Sequence, residues 1–144
     1  MSELYPGIAF SPQAVLTESI GEADTVIKVS NTSVFPEGPN YATIGTDEQG
    51  ETIKYAAIAD GLLSGCQRGV EGTAKAWQSG EVIARNFTAL DHAELIAAIT
   101  EIREMLETLG NSIDEKIAAH NRSEESHPTF LSVGEMEETN GAET

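Results

Sequence analysis

The run LIAAITEIREMLETLGNSI, Leu95 to Ile113, decides how this chain is organised. Its stripe residues are Leu95, Ile99, Ile102, Leu106, Leu109 and Ile113, at successive spacings of 4, 3, 4, 3 and 4. That is a heptad, with Leu95, Ile102 and Leu109 at d and Ile99, Leu106 and Ile113 at a. Glu94, Glu101, Glu104, Glu107, Asp114 and Glu115 fill outer positions, so an apolar face opposes an acidic one. Such a stripe packs either on the chain's own neighbouring domain or on other copies of the helix. Nearly three heptads at a steady 3.5 period favour other copies. The e positions hold Ile96, Arg103, Gly110 and Ile117, and the g positions Ala98, Met105, Ser112 and Ala119. These flanks are small or apolar, and a and d both mix Ile with Leu, which favours a homotrimer over a dimer.

Working outward, the helix is expected over 89–120. Asp91 can cap its first turn with Glu94 at the reciprocal position, and Thr88 is an alternative cap. At the far end the register puts His120 at an a position. Three His120 side chains meeting on a trimer axis would form either a polar layer that fixes register or a site for zinc or a transition metal. No other cofactor is expected. Residues 121–144 hold Glu124, Glu125, Glu135, Glu137, Glu138 and Glu143 with few apolar residues, and Pro128 interrupts any helix. They read as an acidic flexible tail.

Upstream of residue 88 the period changes. Residues 14–88 are short, β-branched and turn-punctuated, with strand candidates at 25–30, 41–46, 52–59, 62–68 and 81–86. In the third of these, Ile53, Tyr55 and Ala57 share one side. Runs of this length with tight turns predict an α+β chain: a small antiparallel β barrel or sandwich followed by the long helix. Residues 1–13 carry Pro6 and Pro12 and read as an extended arm, either loose or docked on a neighbour.

Composition narrows the function. The 144 residues carry 8 Lys and Arg against 24 Asp and Glu, a formal charge of −16. A surface so acidic repels phosphate, so neither nucleic acid nor an anionic membrane is expected as a partner. No apolar run reaches the length of a membrane span, and the first residues lack the pattern of a secretion signal. Catalytic patterns are missing as well: there is no phosphate loop and no nucleophile elbow. Cys66 reads as a small core residue and Trp77 as a core plug. Asp47, Glu48 and Glu51 crowd one hairpin turn, where solvated turn chemistry or a weak calcium site are the alternatives. Arg68 and Arg85 are rare cations and candidates for ion pairs. Gly69 and Gly72 are expected to take positive φ in a tight bend.

Two stretches carry a likeness. Gly65 to Trp77, GCQRGVEGTAKAW, and Gly80 to His92, GEVIARNFTALDH, resemble a module of tailed-phage and prophage structural proteins. That module has a TRG-x-x-GT-x-A-x-x-W-x-x-G-x-x-(I/V)-A-R core with a helix opening soon after. Arg68, Gly69, Gly72, Thr73 and Trp77 match its turn, while Cys66 and Gln67 stand where it more often has Val or Thr and then Thr. His120-Asn121 and His127 are similar to an HN…H segment of phage fibre proteins. The resemblance implies a non-catalytic virion protein with other virion proteins as partners. It would sit in a tail baseplate, fibre or fibre adaptor. A capsid decoration or head-fibre protein is the alternative, and a carbohydrate-binding module using Trp77 and Tyr41 a third.

Overall fold

The computed structural model describes residues 2–123. The chain is α+β, with eight short antiparallel strands followed by one long helix. The strands are β1 (Gln13–Val15), β2 (Ile27–Lys28), β3 (Asn40–Ile44), β4 (Glu51–Tyr55), β5 (Ala57–Ala59), β6 (Leu62–Ser64), β7 (Gln67–Glu71) and β8 (Val82–Ala84). A single 3₁₀ turn, Thr32–Val34, lies between β2 and β3, capped by the Asn31 side chain. The helix α1 runs Ala89–Arg122.

Two sheets form. One has the order β1-β8-β3-β4-β7, and the other has β2-β6-β5. The chain crosses between them just after β1, where Leu16 bridges Val29 and Thr17 donates to the Lys28 carbonyl. The barrel is not closed, so of the two architectures expected for this segment the closed one does not form. Two of the expected strands divide between the sheets. The run 52–59 does not continue as one strand: β4 ends at Tyr55 and β5 begins in the other sheet at Ala57, which is exposed rather than beside Ile53 and Tyr55. The run 62–68 likewise divides at Gly65, whose φ of +60 bends the chain from β6 into β7.

The core lies between the sheets. Leu16, Ile27, Ile44, Ile53, Tyr55, Leu63 and Ile83 are fully buried, and Phe35, Cys66 and Trp77 join them. Each such aliphatic side chain contributes roughly 1.5–3 kcal/mol by leaving water. The Tyr55 hydroxyl, pushed up in pKa by burial, donates to the Pro36 carbonyl at 2.6 Å. Cys66 and Trp77 are therefore core residues, as their sequence contexts suggested.

The arm is not loose. It lies on its own β unit: Asn40 donates to the Pro6 carbonyl at 2.9 Å, Arg85 donates to the Tyr5 carbonyl, and the Tyr5 ring packs edge-on against Tyr41. Lys54 adds an ion pair to Glu3. The prolines that exclude regular structure here also leave carbonyls unpaired, and buried side chains take them.

The chain divides into two compact units, Met1–Ala98 and Ile99–Thr144, with the boundary inside α1. The first turns of the helix thus belong to the β unit.

Candidate functional site

The helix α1 leaves its apolar stripe uncovered among the described residues. Leu95, Ile96, Ile99, Ile102, Met105, Leu106, Leu109, Ile113 and Ile117 are all exposed, between 40 % and 61 % of their surface. Nine large apolar side chains on one helix is far beyond the scattered single exposures of an ordinary surface. The six a and d positions expected to oligomerise are all among them. Gly110 lies in open space, with nothing within 4 Å of where a Cβ would stand.

The helix start is built differently from the expectation centred on Asp91. Thr88 is the cap. Its Oγ1 accepts from the Asp91 N–H at 3.4 Å, and Asp91 Oδ2 accepts from the Thr88 N–H at 2.9 Å. This is a capping box with an aspartate in the third position. Glu94 has no part in it. Asp91 is displaced from the cap role because it has a second task. Its two oxygens receive Arg85 Nη1 and Nη2 at 2.8 and 2.7 Å, a bidentate pair with both side chains buried. Arg85 also donates from Nε to Asn40 Oδ1 at 2.6 Å and from Nη1 to the Asn86 carbonyl at 2.6 Å. One guanidinium thus ties the arm, β3 and the start of α1 together. Burial pushes the Asp91 carboxyl up, but the Arg85 and Thr88 hydrogen bonds outweigh it and hold the group below its ordinary value.

A second buried pair sits in the β unit. Glu51 is fully buried and accepts from Arg68 Nε at 2.7 Å, Arg68 Nη2 at 2.8 Å, the Gly69 N–H at 3.0 Å and the Trp77 indole at 2.8 Å. Burial pushes this carboxyl up too, and the Arg68 and Trp77 bonds bring it below its ordinary value. Of the stretch Arg68, Gly69, Gly72, Thr73, Trp77, it is Arg68, Gly69 and Trp77 that cradle Glu51. Gly69 and Gly72 do take positive φ, +60 and +78. A Cβ at Gly72 would stand 2.6 Å from the Gly50 carbonyl oxygen, so the bend admits no side chain. The bulge that makes room is visible in the register: positions 67 to 71 of β7 span only 52 to 54 of β4. Thr73 is exposed and takes no part in the cradle.

Glu51 is thereby removed from the acidic turn. It points into the core while Asp47 and Glu48 remain outside, so the three carboxylates do not converge and the calcium alternative fails at that turn. Sequence reading missed Glu51, although a signal was present. Glu51, Ile53 and Tyr55 alternate along β4, which puts the carboxylate on the core face. Among the described residues no group of three or more His, Cys, Asp or Glu is placed to hold a metal ion. His120 stands exposed in the last turn of α1. His127 and the acidic tail from residue 124 onward lie outside the described residues.

Chemically these pairs hold rather than react. Both carboxylates have both oxygens occupied by donors. The Cys66 thiol, 3 % exposed, is pushed up by burial to about 11, which leaves little thiolate at neutral pH. Trp77 and Tyr41 are 7 % and 5 % exposed, so neither offers an open ring face for a sugar to stack on. Among the described residues no helix is long and apolar enough to cross a membrane. The chain matches no protein-family model and no curated protein.

Proposed function

We propose that this chain is a non-catalytic structural subunit of a phage or phage-derived particle, assembled as a homotrimer through α1. The observation that carries the reading is the uncovered stripe from Leu95 to Ile117. Nine apolar side chains in water are costly, and three such helices bury them against one another at a heptad spacing. The resemblance of 65–92 to a phage structural module supplies the setting, a tail baseplate, fibre or fibre adaptor in the virion. A β unit whose buried charges are internally paired suits a part that positions rather than reacts. Three β units on one coil would bind neighbouring virion proteins multivalently, so that weak contacts combine.

Sedimentation equilibrium on the full chain tests the assembly, and three chains are expected. A monomer at tens of micromolar would overturn the reading. Immunogold labelling of particles then locates the protein: label on the tail fits the baseplate or fibre role, and label over the capsid moves it to decoration.

A further inference from the structure

Between the arm and the first turns of α1 lies a cavity of about 260 Å³, built entirely from residues 1–98. Leu4, Ile8, Phe87 and Leu95 give it an apolar lining. Pockets that enclose a drug-sized ligand run to roughly 300–1,000 Å³, so this one suits a single side chain. Phe87 is 67 % exposed, which leaves its ring open to a visitor.

Three carboxylates and one guanidinium also stand in the wall. Arg85 and Asp91 cancel one another in their bidentate pair, and Lys54 neutralises Glu3. Glu94 is left over. Asp91 has taken the reciprocal place in the capping box, so the helix start gives Glu94 no task. Its neighbours on the helix face, Leu90, Asp91, Ala97 and Ala98, include no cation. Among the described residues its side chain has neither a hydrogen bond nor an ion pair, although it is half-buried. A carboxylate partly withdrawn from water beside an apolar wall gains most from a cation carried on an apolar stem.

We propose that this cavity takes an arginine side chain of a basic partner protein, with its stem against Leu4, Ile8 and Leu95 and its guanidinium on the Phe87 ring and the Glu94 carboxylate. Arginine fits better than lysine because its planar head stacks on an aromatic face, is weakly hydrated and can still pair with a carboxylate. The partner is a different protein because charge selects it. The chain carries 24 acidic against 8 basic residues, a formal charge of −16, so a second copy is repelled and a basic surface is drawn in. Two of its own four arginines, Arg68 and Arg85, are already locked in buried pairs. The inference needs only residues 1–98 and stands whether or not the helix trimerises.

The test uses the full chain, isotope-labelled for NMR, and capped tripeptides with alanine on either side of arginine, lysine or citrulline. The arginine peptide should shift the amides of Leu4, Ile8, Phe87 and Leu95 and bind with a Kd on the order of millimolar, the scale of one side chain's contacts. Citrulline keeps the shape and loses the charge, so it should bind about fivefold or more weakly, with lysine between the two. Glu94→Gln should weaken the arginine peptide by about the same factor and leave the urea midpoint unchanged, because Glu94 holds nothing in the fold. Citrulline or lysine binding as tightly as arginine would overturn the proposal, as would arginine binding Glu94→Gln as tightly as the parent, or shifts that fall away from the cavity. A loss of self-association in Glu94→Gln would make the occupant a second copy, which also overturns it.

Discussion

The two units of this chain handle their difficult side chains in opposite ways. Residues 1–98 draw charges inward: Glu51, Arg68, Arg85 and Asp91 are all in or near the core, and no described buried side-chain nitrogen or oxygen lacks a partner. Residues 99–122 push apolar side chains outward, from Ile99 to Ile117. The first arrangement is finished within one chain, because each of these four buried charges meets its counter-charge there. The second is unfinished, because none of the described residues covers the stripe. A buried polar network is costly when incomplete, whereas an exposed apolar stripe is costly until it is covered. In the assembly proposed above, the helix is the part that joins.

The largest expected effect separates the two. Ile102→Asp places a carboxylate in the middle of the stripe, and in a trimer three would meet on the axis without partners. Sedimentation should show complete loss of association, with near-unchanged thermal unfolding of the β unit. A stable trimer in this variant would mean that the stripe is not the joining surface.

Next in size is the position at which the chain is cut. A chain ending at Ala98 keeps Asp91 and should fold as a monomer. A chain ending at Thr88 leaves Arg85 buried without its carboxylate. By the usual cost of orphaning one member of a buried pair, that version should be about 3–5 kcal/mol less stable. Urea unfolding of the two chains compares them directly, and equal midpoints would show that the Arg85–Asp91 pair contributes little.

Acid should weaken the same unit. Glu51 and Asp91 are both held below their ordinary values of 4.5 and 3.8. A carboxylate whose folded value is depressed stabilises the fold above its unfolded value, and that contribution fades as pH falls through the folded one. The urea midpoint of the Ile102→Asp chain should thus hold near neutral pH and fall once pH drops below about 4.5. A midpoint equal at pH 7 and pH 3 would contradict the two pairs. The smallest effect belongs to the surface. Lys28 pairs with Glu18 at 2.6 Å, but both side chains are about half exposed, so Lys28→Ala should change stability by less than about 1 kcal/mol.

Much of this was legible in the sequence, for physical reasons that differ by region. The helix was readable because its period repeats over three heptads, and it ends at Arg122, within two residues of the expected 120. Gly69 and Gly72 were readable because a tight bend demands positive φ. Ion pairing of Arg68 and Arg85 followed from their scarcity in an acidic chain. The division of 52–59 at Ala56 was not readable, since alternation continues across it and only pairing with β6 decides where Ala57 goes. The packing of the arm on its own β unit was not readable because its anchors, Asn40 and Arg85, are 34 and about 80 residues away along the chain. Glu51 was assigned to the turn because its nearest sequence neighbours are Asp47 and Glu48. The partners that bury it, Arg68 and Trp77, are distant in sequence.

The Thr88–Asp91 box has a consequence for how the helix comes into being. The costly step in making an isolated helix is fixing its first turn, since several dihedral angles are ordered for one hydrogen bond. Here that turn is held by a carboxylate that Arg85 already grips from the β unit. Each chain thus carries a template for its own helix, and elongation proceeds one way only, from Ala89 toward Arg122. Opening at the start would uncover a buried guanidinium, while opening at the end uncovers nothing, so amide exchange should be slowest in the first turns and quicken toward residue 122.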